Sequence, residues 1–432
     1  MTWSFAFRNL FRNARRSVAT GIAILVGFLG LVLLGGFIFR VENTLQAQAI
    51  YLKYKGHLSI FRKEGLEKFA TDPSRFQLLP VDVEKIQGVL KDHQDEIDWT
   101  GSTLSGVGLL SNGLKSTPYS LLAVDVNSFE QVQKNKMVRT WAKEFVTSED
   151  EAYAKAVAAD PTAISISIRL GELLSLYPPY EKLSEETKSL QMAGLSYFGD
   201  LNAVNSELRG SHSTGSEFSE NTSLIGSLTL AQDLFQTEGI QSLIVFLKDR
   251  TRTHDLLASL NQRFADTQMP YQAYPFDDQD ISPSYVGAKG FLFVMSGFFI
   301  FLICGAVILS ILNSLTMGIL ERTREIGTLR ALGFKRLQIS WMLTQESLWL
   351  TTLASLAGAV LALVISMIVN QVNFRFTPPG APKSIQFLLT PEWDLFVYSY
   401  LLFMILSGVG SFVMSYWKMK SKVVDLLSDA GA

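Results

Sequence analysis

The sequence predicts a polytopic α-helical membrane protein, with four transmembrane helices and a large α+β domain between helices 1 and 2. Three observations carry this. Four apolar stretches, 17–39, 290–320, 341–369 and 395–417, are each long enough to cross a hydrocarbon core of about 30 Å, which takes about 20 helical residues. Basic residues crowd the segments 1–16, 321–340 and 418–432, whereas residues 41–289 hold 23 basic and 33 acidic side chains. Within that acidic segment, short β-branched runs alternate with stretches of helical spacing.

Residues 1–16 carry Arg8, Arg12, Arg15 and Arg16 and no acid. On a helical wheel Trp3, Phe7, Leu10, Phe11 and Ala14 share one face, with Asn9 and the arginines away from it; Phe5 departs from the pattern. The spacing predicts an amphipathic helix lying in the headgroup plane on the cytoplasmic side, the simpler alternative being a topogenic flank. The first span, 17–39, exceeds a signal-peptide core of about 7–15 residues and ends in GGFIFR instead of a small-x-small site, so it reads as a retained anchor. Ala19, Ala23 and Gly27 recur at four-residue intervals along it, as Ala354, Gly358 and Ala362 do along the third span, a spacing that permits close helix packing.

The domain 40–289 is large enough for its own core. His57–Phe61, Ser120–Val124, Ala163–Ile168 and Ser242–Leu247 read as strands, Val81–Leu90 and His254–Phe264 as helices. Gly210–Ser223 reads as a flexible loop by composition, and Tyr177–Leu183, with its Pro pair, as a breaker. No repeat of fixed period occurs.

The second span, 290–320, is uncharged and comes to roughly 46 Å at about 1.5 Å per residue, so it tilts or projects beyond the bilayer. Asn313, Ser310 and Ser314 within it read as helix–helix contacts. Residues 321–340 hold five basic and two acidic side chains. Glu321, Arg322, Arg324, Glu325 and Arg330 read as solvated, Ile326, Leu329 and Leu332 as an apolar edge beside Gly327, and Gly333 as a left-handed stop. A short amphipathic helix at a membrane surface is expected there, able to dock a cytosolic partner. In the third span, 341–369, Glu346 is either functional or paired with a nearby arginine at the interface. A Pro-rich loop, 370–394, leads to the fourth span, 395–417. The Lys and Arg placement puts both termini and 321–340 in the cytoplasm and the acidic domain outside.

Several functions are excluded by what the sequence lacks. There is no G-x-x-x-x-G-K-[ST] phosphate loop, no G-x-S-x-G and no H-E-x-x-H, so no catalytic residues are expected. The four histidines, His57, His93, His212 and His254, lack metal-ligand spacing, and no metal or other cofactor is expected on this chain. Cys304 is the sole cysteine and lies in a span. Pairs such as Asp277–Asp278 read as solvated. An acidic outer domain argues against nucleic acid.

One span, an outer domain of about 250 residues, then three spans with ERTREIGTLRALGF between the second and third: this layout resembles the FtsX-like/MacB-type ABC transporter permease family. Glu321, Arg322, Glu325, Ile326, Gly327, Leu329, Arg330, Ala331, Gly333 and Glu346 fall on that family's motif, and FRNLFRNARRS and Leu79–Val132 are similar to its N-terminal helix and periplasmic domain. The tail KVVDLLSDAGA and the stretch Leu176–Gly194 depart from the family pattern.

The resemblance implies a LolC/LolE-like lipoprotein-releasing permease without a fused ATPase domain, in the bacterial inner membrane with its α+β domain periplasmic. ATP and Mg would be bound by a cytosolic ABC ATPase dimer, and a second permease copy, identical or not, would complete the transporter. The 321–333 helix would receive the ATPase stroke and the long second span would relay it, a mechanotransmission mechanism. Lipoproteins, a periplasmic carrier or adaptor, and membrane lipid are the further partners implied. The alternatives are a MacB-like efflux or export permease and an FtsX-like regulator of cell-wall hydrolases.

Overall fold

A computed structural model describes residues 14–146, 148–214, 217, 219–377 and 384–419. The amphipathic helix expected over 1–16 lies outside them but for 14–16, as do 378–383 of the Pro-rich loop and the tail from 420. In chain order the main elements are α1 (Ala14–Ala47), β1 (Leu58–Arg62), α2 (Pro80–Leu90), β2 (Ile97–Ser111), β3 (Ser116–Val124), β4 (Ala163–Ser167), β5 (Ser189–Leu195), β6 (Leu201–His212), β7 (Ser223–Ser227), α3 (Leu228–Phe235), β8 (Ser242–Leu247), α4 (Thr253–Asp266), β9 (Tyr271–Pro275), α5 (Pro283–Glu321), α6 (Thr323–Ala331), α7 (Arg336–Val372) and α8 (Trp393–Lys418). Their described residues fall into two compact units, Met1–Val41 with Gly290–Phe374 and Gln386–Ala432, and Glu42–Lys289 with Arg375–Ile385.

The second unit is built on one nine-stranded sheet, ordered β3-β7-β4-β6-β5-β2-β8-β1-β9, in which β2 also pairs with β3. Strand β2 serves two substructures. Its first half, Ile97–Thr103, runs antiparallel to β8, which with β1 and β9 gives the order β9-β1-β8-β2. The chain reaches those strands as β1-α2-β2 and β8-α4-β9, the ferredoxin-like split βαβ arrangement. Ile86 of α2 and Leu260 and Phe264 of α4 pack on Leu58, Ile60 and Val245 to form its core.

The second half of β2 pairs with β3 over Thr103–Ser111 and with β5 over Gly108–Ser111. The sheet therefore closes into a ring, β2-β3-β7-β4-β6-β5, whose closure leaves these six strands without an open edge. Leu104, Leu110, Tyr119, Ile164, Met192 and Phe235 fill it. Two glycines permit the closure. A Cβ on Gly106 would stand 2.1 Å from the Phe235 ring, and one on Gly108 would stand 2.0 Å from the carbonyl oxygen of Ala193.

All four strands and both helices read from the domain's sequence are present within a few residues. The stretch Gly210–Ser223 requires a correction, because Gly210–His212 end β6 and Ser223 opens β7. Its polar composition reflects buried hydrogen bonds: His212 is buried with Nδ1 3.0 Å from Ser165 Oγ and Nε2 2.9 Å from Ser223 Oγ. Burial pushes the imidazole down to about 4, so it is held neutral. His57 is likewise buried and neutral, its Nδ1 accepting the Leu247 N–H at 2.9 Å, and burial with the nearby Arg250 charge lowers it to about 4.

Among the described residues, α1, α5, α7 and α8 are the four helices long and apolar enough to cross a membrane, and they make up most of the other unit. Helices α1, α5 and α7 comprise 34, 39 and 37 residues, since helical hydrogen bonding continues into polar flanks beyond the apolar stretches. Ile24 and Phe28 of α1, Val307 and Ile311 of α5, Ala354 of α7 and Phe403 of α8 form their common core. Gly27 and Gly358 are buried where helices approach closely: a Cβ on Gly27 would meet Val307 Cγ2 at 2.5 Å, and one on Gly358 would meet the Leu25 carbonyl oxygen at 3.0 Å. Helix α8 buries Ser399, Ser407, Ser411 and Ser415 with Phe403, one residue per turn, and Thr351 of α7 donates to Ser407 Oγ at 2.8 Å.

Candidate functional site

Three membrane helices converge on the short helix α6. The apolar face of α6, chiefly Ile326, packs on Leu315 and Ile319 of α5, Ile339 and Leu343 of α7, and Met419 just past α8; Leu329 adds partial cover. Arg330 Nη1 also donates to the Met419 carbonyl oxygen at 3.4 Å. Leu332 departs from the expected apolar edge and is exposed, as are Phe334 and Leu337 beyond it.

The end of α6 is a Schellman cap. Gly333 has φ +93°, its N–H reaches the Arg330 carbonyl at 3.1 Å, and the Phe334 N–H reaches that of Leu329 at 3.1 Å. A glycine adopts this left-handed geometry without the cost a Cβ brings. The start of α6 is set by Arg322, whose backbone (φ −108°, ψ 18°) interrupts the helix between Glu321 and Thr323.

Arg322 is also where the sequence reading needs its main correction. It is buried, not solvated: its Nη1 and Nη2 donate to Glu346 Oε2 and Oε1 at 3.1 and 3.4 Å, a two-pronged pair between the α5–α6 junction and α7. The break at Arg322 turns its side chain inward, which a reading of 321–333 as one continuous helix misses. The side chains retain only 9% and 18% exposure, so both charges are largely removed from solvent and compensate one another. Of the two readings of Glu346, pairing with an arginine is the arrangement observed, and the partner lies 24 residues earlier in the chain.

The pair borders a cavity of about 40 Å³, to which Thr20 and Ile24 of α1, Ser314 of α5 and Ser347 of α7 also contribute. Its size suits a few water molecules. Glu321, Arg324 and Glu325 are exposed, while Gly327 is buried with Ile326.

The small residues named from spacing divide by position. On α7, Ala354, Gly358 and Ala362 are all buried. On α1, Gly27 is buried and Ala23 half-buried, but Ala19 is exposed, because Thr20 and Ile24 occupy the packed face instead. Asn313 is exposed on α5. The serine ladder of α8 escaped sequence reading, although its four-residue period was the available signal. Among the described residues, no group of three or more His, Cys, Asp or Glu could hold a metal ion.

Residues 297–423 match the family described as FtsX-like permease C-terminal. Over 87 residues the chain is 37% identical to the ABC transporter permease YtrF of Bacillus subtilis (strain 168), a match covering 19% of this chain and 20% of that protein. The chain thus spans about a fifth of the curated relative it matches. Among solved structures, it resembles the extracellular domain of the ABC-type transporter YknZ from Gram-positive bacteria, at 13% identity and a TM-score of 0.31, over 50% of this chain and 98% of that one. It also resembles the periplasmic region of MacB from Actinobacillus actinomycetemcomitans, at 13% identity and a TM-score of 0.32, over 51% of this chain and 88% of that one.

Proposed function

From an FtsX-like permease C-terminal domain at residues 297–423, we propose that the chain is the permease subunit of an ABC transporter. It couples ATP hydrolysis by a separate cytosolic ATPase to substrate movement on the far side of the membrane. The observation that carries the reading is the attachment of α6. Its ends are fixed by Arg322–Glu346 and by the Gly333 cap, and its apolar face is clasped by α5, α7 and the end of α8. A force applied to α6 therefore moves three membrane helices with it. Exposed on α6, in the turn after it and at the start of α7 are Arg324, Glu325, Leu332, Phe334 and Leu337, a mixed charged and apolar surface suited to a protein partner.

In this reading both termini and α6 lie in the cytoplasm, the sheet unit lies outside, a second permease completes the transporter, and ATP and Mg belong to the ATPase. Substrate is worked on outside the bilayer by mechanotransmission, and release of lipoproteins from the inner membrane is the assignment we favour. The size of the 40–289 domain argues against a regulator of cell-wall hydrolases. One feature favours the second reading, an export permease served by a periplasmic adaptor. Gly108 pairs with Gly194 and Leu195 with Leu201, so Val107, Leu195 and Leu201 lie side by side across three strands. These residues and Leu109 and Phe198 are 54–78% exposed, an apolar surface of the kind that marks protein contact.

The test is Glu325→Lys combined with Leu332→Asp, exposed positions on α6 and at its C-terminal cap. ATPase copurification and transport-linked ATP turnover are expected to be lost while membrane insertion is retained. Retention of the ATPase by this variant would overturn the reading. Bound lipoproteins in the purified wild-type complex would select release, and an adaptor would select export.

A further inference from the structure

We infer that the cavity beside Arg322 and Glu346 is a water site, in which bound water accepts a hydrogen bond from Arg322 Nε and passes it on to the hydroxyl of Thr20. The guanidinium sets the requirement. Its Nη1 and Nη2 donate to the two oxygens of Glu346, which leaves Nε. That atom is buried, and among the described residues no group accepts from it. A charged donor left buried without an acceptor is costly, and bulk solvent is closed off from a side chain only 9% exposed.

The cavity meets that requirement. Helix α1 contributes Ser17 and Thr20 to its wall, α5 contributes Ser314 and α7 contributes Ser347, so hydroxyls from three helices border one space with the ion pair. Nε only donates, whereas water and a hydroxyl both donate and accept, so water bridges the two. At about 40 Å³ the space holds about three waters, and its lining supplies the polar partners that buried water needs. Of the two hydroxyls on α1, Thr20 is the buried one and Ser17 is half-buried.

Charge selects a neutral ligand. Arg322 and Glu346 compensate one another, so a cation would be repelled by the guanidinium and an anion by the carboxylate. The consequence is mechanical. The ion pair ties the α5–α6 junction to α7, and the water extends that tie across the cavity to α1. This inference rests on the cavity and the pair alone and needs no ATPase.

Two measurements on the detergent-solubilised full chain test it. A map that resolves ordered water should show it within hydrogen-bond reach of Arg322 Nε. The second is a double-mutant cycle read by SDS-driven unfolding. Thr20→Val keeps the shape of the side chain and removes the hydroxyl. With water bound, this strands the water and should lower the folding equilibrium constant roughly 2- to 12-fold. In a dry cavity the same change removes a buried polar group and should leave the constant equal or higher. In an Arg322→Met/Glu346→Leu background the charges that hold the water are gone, so the loss caused by Thr20→Val should largely disappear. Lipid or detergent density at Nε, no density there in a map that resolves water elsewhere in the protein, a neutral or stabilising Thr20→Val, or an equal loss in both backgrounds would each overturn the inference. The map needs only the wild-type chain and decides alone where a variant fails to fold. Retention of the ATPase by the α6 variant would leave the water site untouched.

Discussion

Arg322 and Glu346 are worth most as a matched pair. At 9% and 18% exposure, each charge is largely stripped of water, and two hydrogen bonds between them supply most of the compensation. Removing one partner strands the other, and breaking such a pair costs about 3–5 kcal/mol, whereas replacing both with apolar groups is often close to neutral. We therefore expect Glu346→Leu to lower the thermal stability of the detergent-solubilised protein sharply and Arg322→Met/Glu346→Leu to recover most of the loss. Under the proposed function, the double variant should still turn ATP over poorly, because the lock between the α5–α6 junction and α7 is gone. Single variants that melt like the wild type would mean that the pair is formed too weakly to fix α6. Sequence reading reached half of this arrangement. An acid inside a span announces itself through its cost, but Arg322 sits near the exposed Arg324 and Arg336, and only the backbone break at its own position distinguishes it.

Among the elements, legibility tracked how far each segment's fate is local. Strands β3, β4 and β8 and helices α2 and α4 were readable because their own side chains carry the alternation or the helical period. The cap at Gly333 was readable because a left-handed stop is a property of a few residues. Strand β2 was not, since GSTLSGVG looks like loop. Its glycines are there because the ring must close against Phe235 and Ala193, contacts 85 or more residues distant for β5 and α3. The same logic predicts the response of the membrane helices to added bulk. Gly27 has Val307 Cγ2 2.5 Å from where a Cβ would sit, while nothing lies within 4 Å of that position at Gly297. Gly27→Val should overpack the α1–α5 contact and cost about 1–3 kcal/mol. Gly297→Val should leave the melting temperature nearly unchanged. Equal tolerance at both sites would show that α1 and α5 do not pack as closely as this.

For the whole molecule, the charge distribution and the aromatic residues make one argument about orientation. Residues 41–289 have 33 acidic against 23 basic side chains, while 321–340 have five basic against two acidic. Basic segments are retained in the cytoplasm, so the orientation proposed above has α6 in the cytoplasm and residues 41–289 outside. Exposed tryptophans agree with helices that span from one interface to the other. Trp393 opens α8 and Trp417 nearly closes it, so 24 residues, or about 36 Å of helix, separate two exposed indoles, close to the distance between interfacial belts. Because Cys304 is the sole cysteine, the orientation is testable with single thiols in a Cys304→Ser background. Leu114, 93% exposed in the β2–β3 turn, and Lys335, exposed beyond the α6 cap, are suited to the purpose. A membrane-impermeant maleimide applied to intact cells, with the outer envelope opened where one is present, should label Leu114→Cys. It should reach Lys335→Cys only after the cytoplasmic membrane is permeabilised. The reverse pattern would put α6 outside, beyond the reach of any cytosolic ATPase, and the permease reading would fail with it.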